Sequence, residues 1–240
     1  SVAATALIEL SALTTGAVAV SVAADVSGTA EEITAAYAAE NIKGLEDKAL
    51  IVADSGSVAA TALTKLDALT TGAVAVSSAT NLSGTTAEII AAYAGNTAGT
   101  IKGLEDKALT VTGSGSVAAT ALTKLDALTT GAVAVSSTIN LSGTIAEIIA
   151  AYAGNTAGTI KGLEDKGLTV TGSVAATALK GLDALTTGAI GVLAGPSLTA
   201  TVAEIVAPSS SVITRAPAAP TLAITDDEGG AANISGGAVT

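Results

Sequence analysis

A seven-residue string, Ser-Val-Ala-Ala-Thr-Ala-Leu, begins four times in this chain, at Ser1, Ser57, Ser116 and Ser173. A second string, Gly-Leu-Glu-Asp-Lys, begins at Gly44, Gly103 and Gly162. Between them recurs a third, in which Ser-Gly-Thr is followed by Ala-Glu or Glu-Glu and an apolar run. Its threonines are Thr29, Thr85 and Thr144, with a weaker copy at Thr201. Interleaving the first and third sets gives starts at 1, 29, 57, 85, 116, 144, 173 and 201, a period of about 28 residues in two alternating flavours. A unit of that length cannot bury a core of its own, but it can stack on a copy of itself. The expected fold class is therefore α/β: a right-handed parallel solenoid of about eight ~28-residue coils, each with one short helix and one or two short strands.

Local signals fill in the coil. In the second flavour Thr85 and Glu88 have the spacing of a capping box, in which each side chain satisfies the other residue's amide; Thr29 with Glu32, Thr144 with Glu147 and Thr201 with Glu204 repeat it. In the first flavour Ser57 is the expected N-cap. Val58, Ala62, Leu63, Leu66 and Leu69 then line one face of a helix. Gly72, Gly131 and Gly188 follow Thr-Thr and suit a left-handed helix end. Strands are expected near 73–76 and 100–103, and again near 80–83 and 109–112. Val74, Val76, Leu109 and Val111 should point inward, with Ala73, Ala75, Thr110 and Thr112 outward.

All four prolines, Pro196, Pro208, Pro217 and Pro220, fall in the last 45 residues. The composition change divides the chain into solenoid repeats at 1–207, with a last short helix at 201–207, and a cap or linker at 208–220. Residues 221–240 are then expected to form either a last strand of the solenoid or the truncated start of a neighbouring module. At the other end, Ser1 opens directly inside a coil. Solenoids need covered ends, so the N-terminal coil is expected to pair with another chain or with missing sequence.

The residues Ser-Val-Ala-Ala-Thr-Ala-Leu-Thr-Lys-Leu-Asp, Leu-Ser-Gly-Thr-Thr-Ala-Glu-Ile-Ile and Ile-Lys-Gly-Leu-Glu-Asp-Lys-Ala-Leu-Thr-Val-Thr together resemble repeat regions of giant cell-surface and adhesin proteins of cyanobacteria and other bacteria. Pro220-Thr-Leu-Ala-Ile-Thr-Asp-Asp-Glu resembles the opening of immunoglobulin-like adhesin modules. The resemblance implies a protein of the cell surface or extracellular space that forms a stalk, filament or adhesive segment.

Chemistry is constrained by what is missing. The chain has no His, Cys, Met, Trp or Phe, which removes Ser-His-Asp triads, thiol nucleophiles, disulfides and His or Cys metal sites. A net charge of −11 opposes binding to nucleic acid. Apolar runs are broken by Thr, Ser or Gly well short of a membrane span, so no membrane insertion is expected. Asp226, Asp227 and Glu228 form the densest acidic cluster and are the candidate ligands for calcium, which takes only oxygen donors; no other cofactor is implied. The turns at Glu46-Asp47-Lys48, Glu105-Asp106-Lys107 and Glu164-Asp165-Lys166 read either as a calcium ladder or, more simply, as solvated turns whose Lys offsets the acids. Tyr37, Tyr93 and Tyr152 are expected to cap the core with their hydroxyls in water. Asp67, Asp126 and Asp183 are expected on a solvated helix face. Apart from Asp226, Asp227 and Glu228 every candidate recurs with the repeat, whereas catalysis needs one asymmetric cluster with matched acid and base, so a structural, non-enzymatic role is expected. The partners are then other copies of the chain, neighbouring modules or cell-surface components. The rival is a surface-recognition module, with ice as the concrete case, acting through flat Ala and Thr faces.

Overall fold

The computed structural model describes residues 1–77, 80–172 and 174–192, and beyond them strands at 198–201, 213–215, 222–225 and 231–234. In chain order the first elements are β1 (Val2–Ala3), α1 (Ala4–Ala12), β2 (Val18–Ala19), β3 (Val26–Gly28), α2 (Ala30–Ala38), β4 (Ile42–Lys43) and β5 (Leu50–Val52). Next come β6 (Gly56–Ala59), α3 (Ala60–Leu69), β7 (Val74–Val76), β8 (Thr80–Gly84), α4 (Thr86–Ala98), β9 (Ile101–Lys102) and β10 (Leu109–Val111). The third set is β11 (Gly115–Ala118), α5 (Ala119–Leu128), β12 (Val133–Val135), β13 (Ile139–Gly143), α6 (Ile145–Ala157), β14 (Ile160–Lys161) and β15 (Leu168–Val170). The last is β16 (Val174–Ala175), α7 (Ala176–Asp183), β17 (Ile190–Val192), β18 (Leu198–Thr201), β19 (Ile213–Arg215), β20 (Leu222–Thr225) and β21 (Ala231–Ile234). The protein is thus α/β, with seven helices and mostly parallel strands among the described residues, an arrangement compatible with a repeat solenoid.

Two compact units are distinguishable, one of residues 1–112 and 125–134, the other of 113–124 and 135–240. In the first, β1, β3, β5, β7 and β9 pair in parallel in that order. Val2, Val26, Leu50, Val74 and Ile101 align across this sheet; all but Val2 are fully buried, and they form an inward apolar row. Beside them Ala3, Ser27, Ile51, Ala75 and Lys102 form the outward row. In the second unit β11, β13, β15, β17 and β19 form the equivalent sheet. Its inward row runs Val117, Leu141, Leu168 and Ile190, and β19 continues the pairing with Ile213 opposite Ile190. The expected inward residues Val74, Val76, Leu109 and Val111 are all buried.

The offset between paired strands departs from the expected 28 residues. It is 24 at each step from Val2 to Val74 and 27 from Val74 to Ile101, while successive helices begin 26 to 33 residues apart. Strands and helices therefore slide past each other along the chain. β1 precedes α1 directly, whereas β5 is separated from α3 by another strand and β7 follows α3. Each five-strand sheet consequently gathers its strands from two successive double repeats. Register is set by the inward apolar row, because a slip of one residue would turn every Val, Leu and Ile outward.

The two helix flavours start differently. In α2, α4 and α6 both hydrogen bonds of the capping box are present, at Thr29 with Glu32, Thr85 with Glu88 and Thr144 with Glu147. The fourth expected box, Thr201 with Glu204, and the helix expected at 201–207 fall outside the described residues beyond Thr201, the last residue of β18. Ser57 is not a cap either. It lies inside β6, which runs straight into α3 with Ala59 at the N-cap and no side-chain hydrogen bond. Left-handed helix ends occur at Gly99 (φ 82°) and Gly158 (φ 81°), not at Gly72, Gly131 or Gly188. β20 pairs in parallel with β18 and antiparallel with β21.

Candidate functional site

Among the described residues the three Glu-Asp-Lys turns are the most elaborate polar clusters; their acids are solvated and offset by Lys as expected, but the lysines themselves are buried. Lys48, Lys107 and Lys166 are each only 3% exposed. Each ammonium pairs with the preceding aspartate, at 2.6 Å for Asp47, 3.3 Å for Asp106 and 3.0 Å for Asp165, while those aspartates stay largely in solvent. Lys107 Nζ also donates to the Ser77 carbonyl at 2.8 Å. The four-carbon stem is thus packed and the charged end is satisfied by one carboxylate, and at Lys48 and Lys107 by a backbone carbonyl as well.

Each turn is held from two further directions. From the preceding second-flavour helix, the hydroxyls of Tyr37, Tyr93 and Tyr152 donate to the carbonyls of Leu45, Leu104 and Leu163 at 2.6 to 2.7 Å. The hydroxyls of Tyr93 and Tyr152 do not reach water as expected, because both side chains are buried; Tyr37 is half-buried. Burial holds all three phenols above their ordinary pKa, opposed by the neighbouring threonine hydroxyls of Thr70, Thr129 and Thr186. From the Thr-Thr-Gly that follows the next helix, Thr70, Thr129 and Thr186 donate their hydroxyls to the carbonyls of Lys48, Lys107 and Lys166 at 2.6 to 2.7 Å. The same hydroxyl accepts the amide of Gly72, Gly131 or Gly188. Thr71, Thr130 and Thr187 donate their amides to the carbonyls of Glu46, Glu105 and Glu164, each at 2.8 Å.

The glycines are there for close approach. A Cβ on Gly72 would lie 2.4 Å from the Lys48 carbonyl oxygen, on Gly131 2.4 Å from that of Lys107, and on Gly188 closer still to that of Lys166. No side chain fits between two backbones so close. On the outer side Asn96 donates to Glu105 and accepts the Leu104 amide, and Asn155 does the same for Glu164 and Leu163. Their own backbone amides, then these asparagines, hold Glu105 and Glu164 below the ordinary carboxylate pKa; hydrogen bonds from the adjacent lysines do so for Asp47 and Asp165.

Asp47, Asp106 and Asp165 are therefore committed to Lys, and Glu105 and Glu164 to Asn and backbone. Among the described residues no group of three or more acids could hold a metal ion. Asp226, Asp227 and Glu228 lie between β20 and β21, outside the described residues. Asp67 is half-buried and accepts an exposed hydrogen bond from Thr100 at 3.1 Å, so from the solvated face it also ties its helix to the chain ahead. A shallow cleft of about 500 Å³ lies between α2 and α3. Its Asp54 is already spent on the amide of Ala30 at the start of α2. Along the outward rows the serines are spent too: Ser27, Ser83 and Ser142 donate to the carbonyls of Val2, Val58 and Val117. Lys102 interrupts the row in the first unit, and Gly191 that in the second.

Sequence reading located the Glu-Asp-Lys turns, the tyrosines and the glycines but not that they meet. The usable signal was their shared phase: wherever Gly-Leu-Glu-Asp-Lys occurs, a Tyr precedes it and a Thr-Thr-Gly follows it. Among the described residues no helix is long and apolar enough to cross a membrane. No family model, curated protein or solved structure matches this chain.

Proposed function

We propose that this chain is a structural segment: a right-handed α/β solenoid that serves as a stalk, filament or adhesive section of an extracellular or cell-surface protein, and not an enzyme. The observation that carries the reading is the use to which the repeated polar groups are put. Every Glu-Asp-Lys turn spends its Leu, Glu and Lys carbonyls on a tyrosine of the preceding helix and on the Thr-Thr-Gly that follows the next one, joining one stretch of chain to another, which is what a load-bearing wall requires. Right-handed parallel crossovers are the rule where chain direction is preserved between strands. The partners that fit are copies of the chain or neighbouring modules, with calcium at Asp226, Asp227 and Glu228 as the ion that would stiffen a junction. The outward rows fit ice less well, since their serine hydroxyls are turned to the backbone and a lysine breaks the row.

Light scattering and negative-stain imaging across a concentration series, in calcium and then in EDTA, test this reading. Regular fibres or rod-like particles are expected, shortened in EDTA if the acidic cluster bridges modules. Compact monodisperse particles that turn over a substrate would overturn it.

A further inference from the structure

Of the asparagines whose side chains are described, three are spent on packing. Asn41 donates to the carbonyls of Ser11 and Thr14, while Asn96 and Asn155 brace the Glu-Asp-Lys turns. All three are half-buried. Asn81 in β8 and Asn140 in β13 differ on both counts: each is exposed, and among the described residues neither side chain has a hydrogen-bond partner. The same division runs through the sequence. Asn81-Leu82-Ser83 and Asn140-Leu141-Ser142 carry a serine two residues on, whereas Asn41, Asn96 and Asn155 are followed at that distance by Lys43, Ala98 and Ala157. The triplet recurs at Asn233-Ile234-Ser235, whose side chains lie outside those described.

The strand geometry presents each asparagine and its serine together. Leu82 and Leu141 are buried, so the residues on either side of each point outward on one face. Asn81 stands opposite Ser57, and Asn140 opposite Ser116. On the other flank, Ala108 precedes the partner of Leu82, and Gly167 precedes the partner of Leu141. Serine, alanine and glycine leave the space around both carboxamides open. Ser83 and Ser142 donate to the carbonyls of Val58 and Val117 at 3.3 and 3.2 Å, long for a hydroxyl donor and therefore readily exchanged for a better acceptor. At the equivalent place in the first repeat stands Asp25-Val26-Ser27, which has the serine but no amide nitrogen.

From this we infer that Asn81 and Asn140 are modification sites, acceptors of an N-linked sugar delivered from a sugar 1-diphosphate by a transferase that reads Asn-X-Ser. The chemistry explains why the two residues go together. A carboxamide nitrogen is a weak nucleophile because its lone pair is delocalised into the carbonyl, and an enzyme that grips the serine hydroxyl fixes the asparagine against the donor. In the transfer, a bond forms from Nδ2 to C1 of the sugar and the bond from C1 to the diphosphate oxygen breaks. The diphosphate leaves with the electron pair, the Nδ2 proton passes to a base of the transferase, and nothing is oxidised or reduced. The attached sugars extend away from the sheets over their Ser, Ala and Gly neighbours. The inference rests on the reading of the chain as a surface protein only for where it meets the transferase.

The test is peptide mass analysis of the chain isolated from the organism that encodes it. Trypsin cleaves after Lys65 and Lys102 and after Lys124 and Lys161, releasing 66–102 with Asn81 and 125–161 with Asn140. Both peptides are expected to be heavier than their sequences by whole sugar residues. Fragmentation should place the increments on Asn81 and Asn140, and an amidase that releases N-linked sugar should remove them and leave aspartate. A single hexose identifies a nucleotide-linked donor, and a preassembled oligosaccharide a lipid-linked one. In the same cells Ser83→Ala should lower occupancy at Asn81 by roughly tenfold or more and leave Asn140 as it was, while Ser83→Thr, which keeps the hydroxyl, retains both. Unmodified peptides, sugar on serine or threonine instead of asparagine, or full occupancy at Asn81 in Ser83→Ala would overturn the assignment. Sugar-free chains that image as rods would sink the sites and spare the structural reading; compact particles with sugared asparagines would do the reverse.

Discussion

Thr14-Thr15-Gly16 and Thr70-Thr71-Gly72 are the same three residues after equivalent helices, and they end in different environments. In both, the threonine hydroxyl takes the glycine amide at 3.0 Å, so the bend itself is local. Only at the second does a Glu-Asp-Lys turn lie on the bend, with its lysine carbonyl against the glycine. The difference teaches that the glycine is kept for a neighbour's backbone and not for its own conformation. The largest expected effect follows directly. Gly72→Ala should cost about 1–3 kcal/mol, since a backbone carbonyl must move, whereas Gly16→Ala should cost nothing measurable; paired denaturant midpoints check this.

Tyr93→Phe probes the same joint from the helix side. It leaves the buried Leu104 carbonyl without its donor and should lower stability by about 1–3 kcal/mol by thermal unfolding, with little change in the fold. Thr85→Ala, which removes one capping box from the first unit, should cost about 1 kcal/mol, read as faster amide exchange in the first turn of α4. That loss should leave the Thr-Thr-Gly cradles protected, so it separates helix capping from turn docking.

The smallest effects are on pH. The tyrosine phenols have folded pKa values raised above their unfolded values, so their contribution is fully present below about pH 10 and is lost as pH rises through the folded values. The depressed carboxylates work in the opposite window: their contribution is present above about pH 4 and fades as pH falls through the lowered values. Because those acids are exposed, the acid limb should be the shallower of the two. Unfolding midpoints from pH 3 to pH 11 would show it, and Tyr93→Phe should flatten the alkaline limb.

The features that sequence made legible are those encoded within a few residues. Thr85 and Glu88 find each other across one helical turn, and Leu109 and Val111 alternate inward on one strand, without reference to distant chain. What could not be read depends on partners tens of residues away. Ser57 looks like a cap until Asn81 of β8 is found opposite it in a sheet that holds it extended. Lys107 looks solvent-bound until the Ser77 carbonyl, 30 residues back, receives it. The 24-residue strand offset was masked by the repeat in the helices, which is longer, so the sequence period and the pairing period differ. The acidic cluster at Asp226 to Glu228, prominent by composition, falls outside the described residues.

Amide hydrogen exchange on the unmodified chain tests most directly the claim that Glu-Asp-Lys turns on Thr-Thr-Gly cradles are the joints of the structure. The Thr71, Thr130 and Thr187 amides, each bonded to a glutamate carbonyl at 2.8 Å, should exchange slowly, and the Thr15 amide should exchange at nearly the rate of an open loop. Four similar rates would contradict the account: all fast would mean that the joints do not hold, and all slow that the first cradle is already filled.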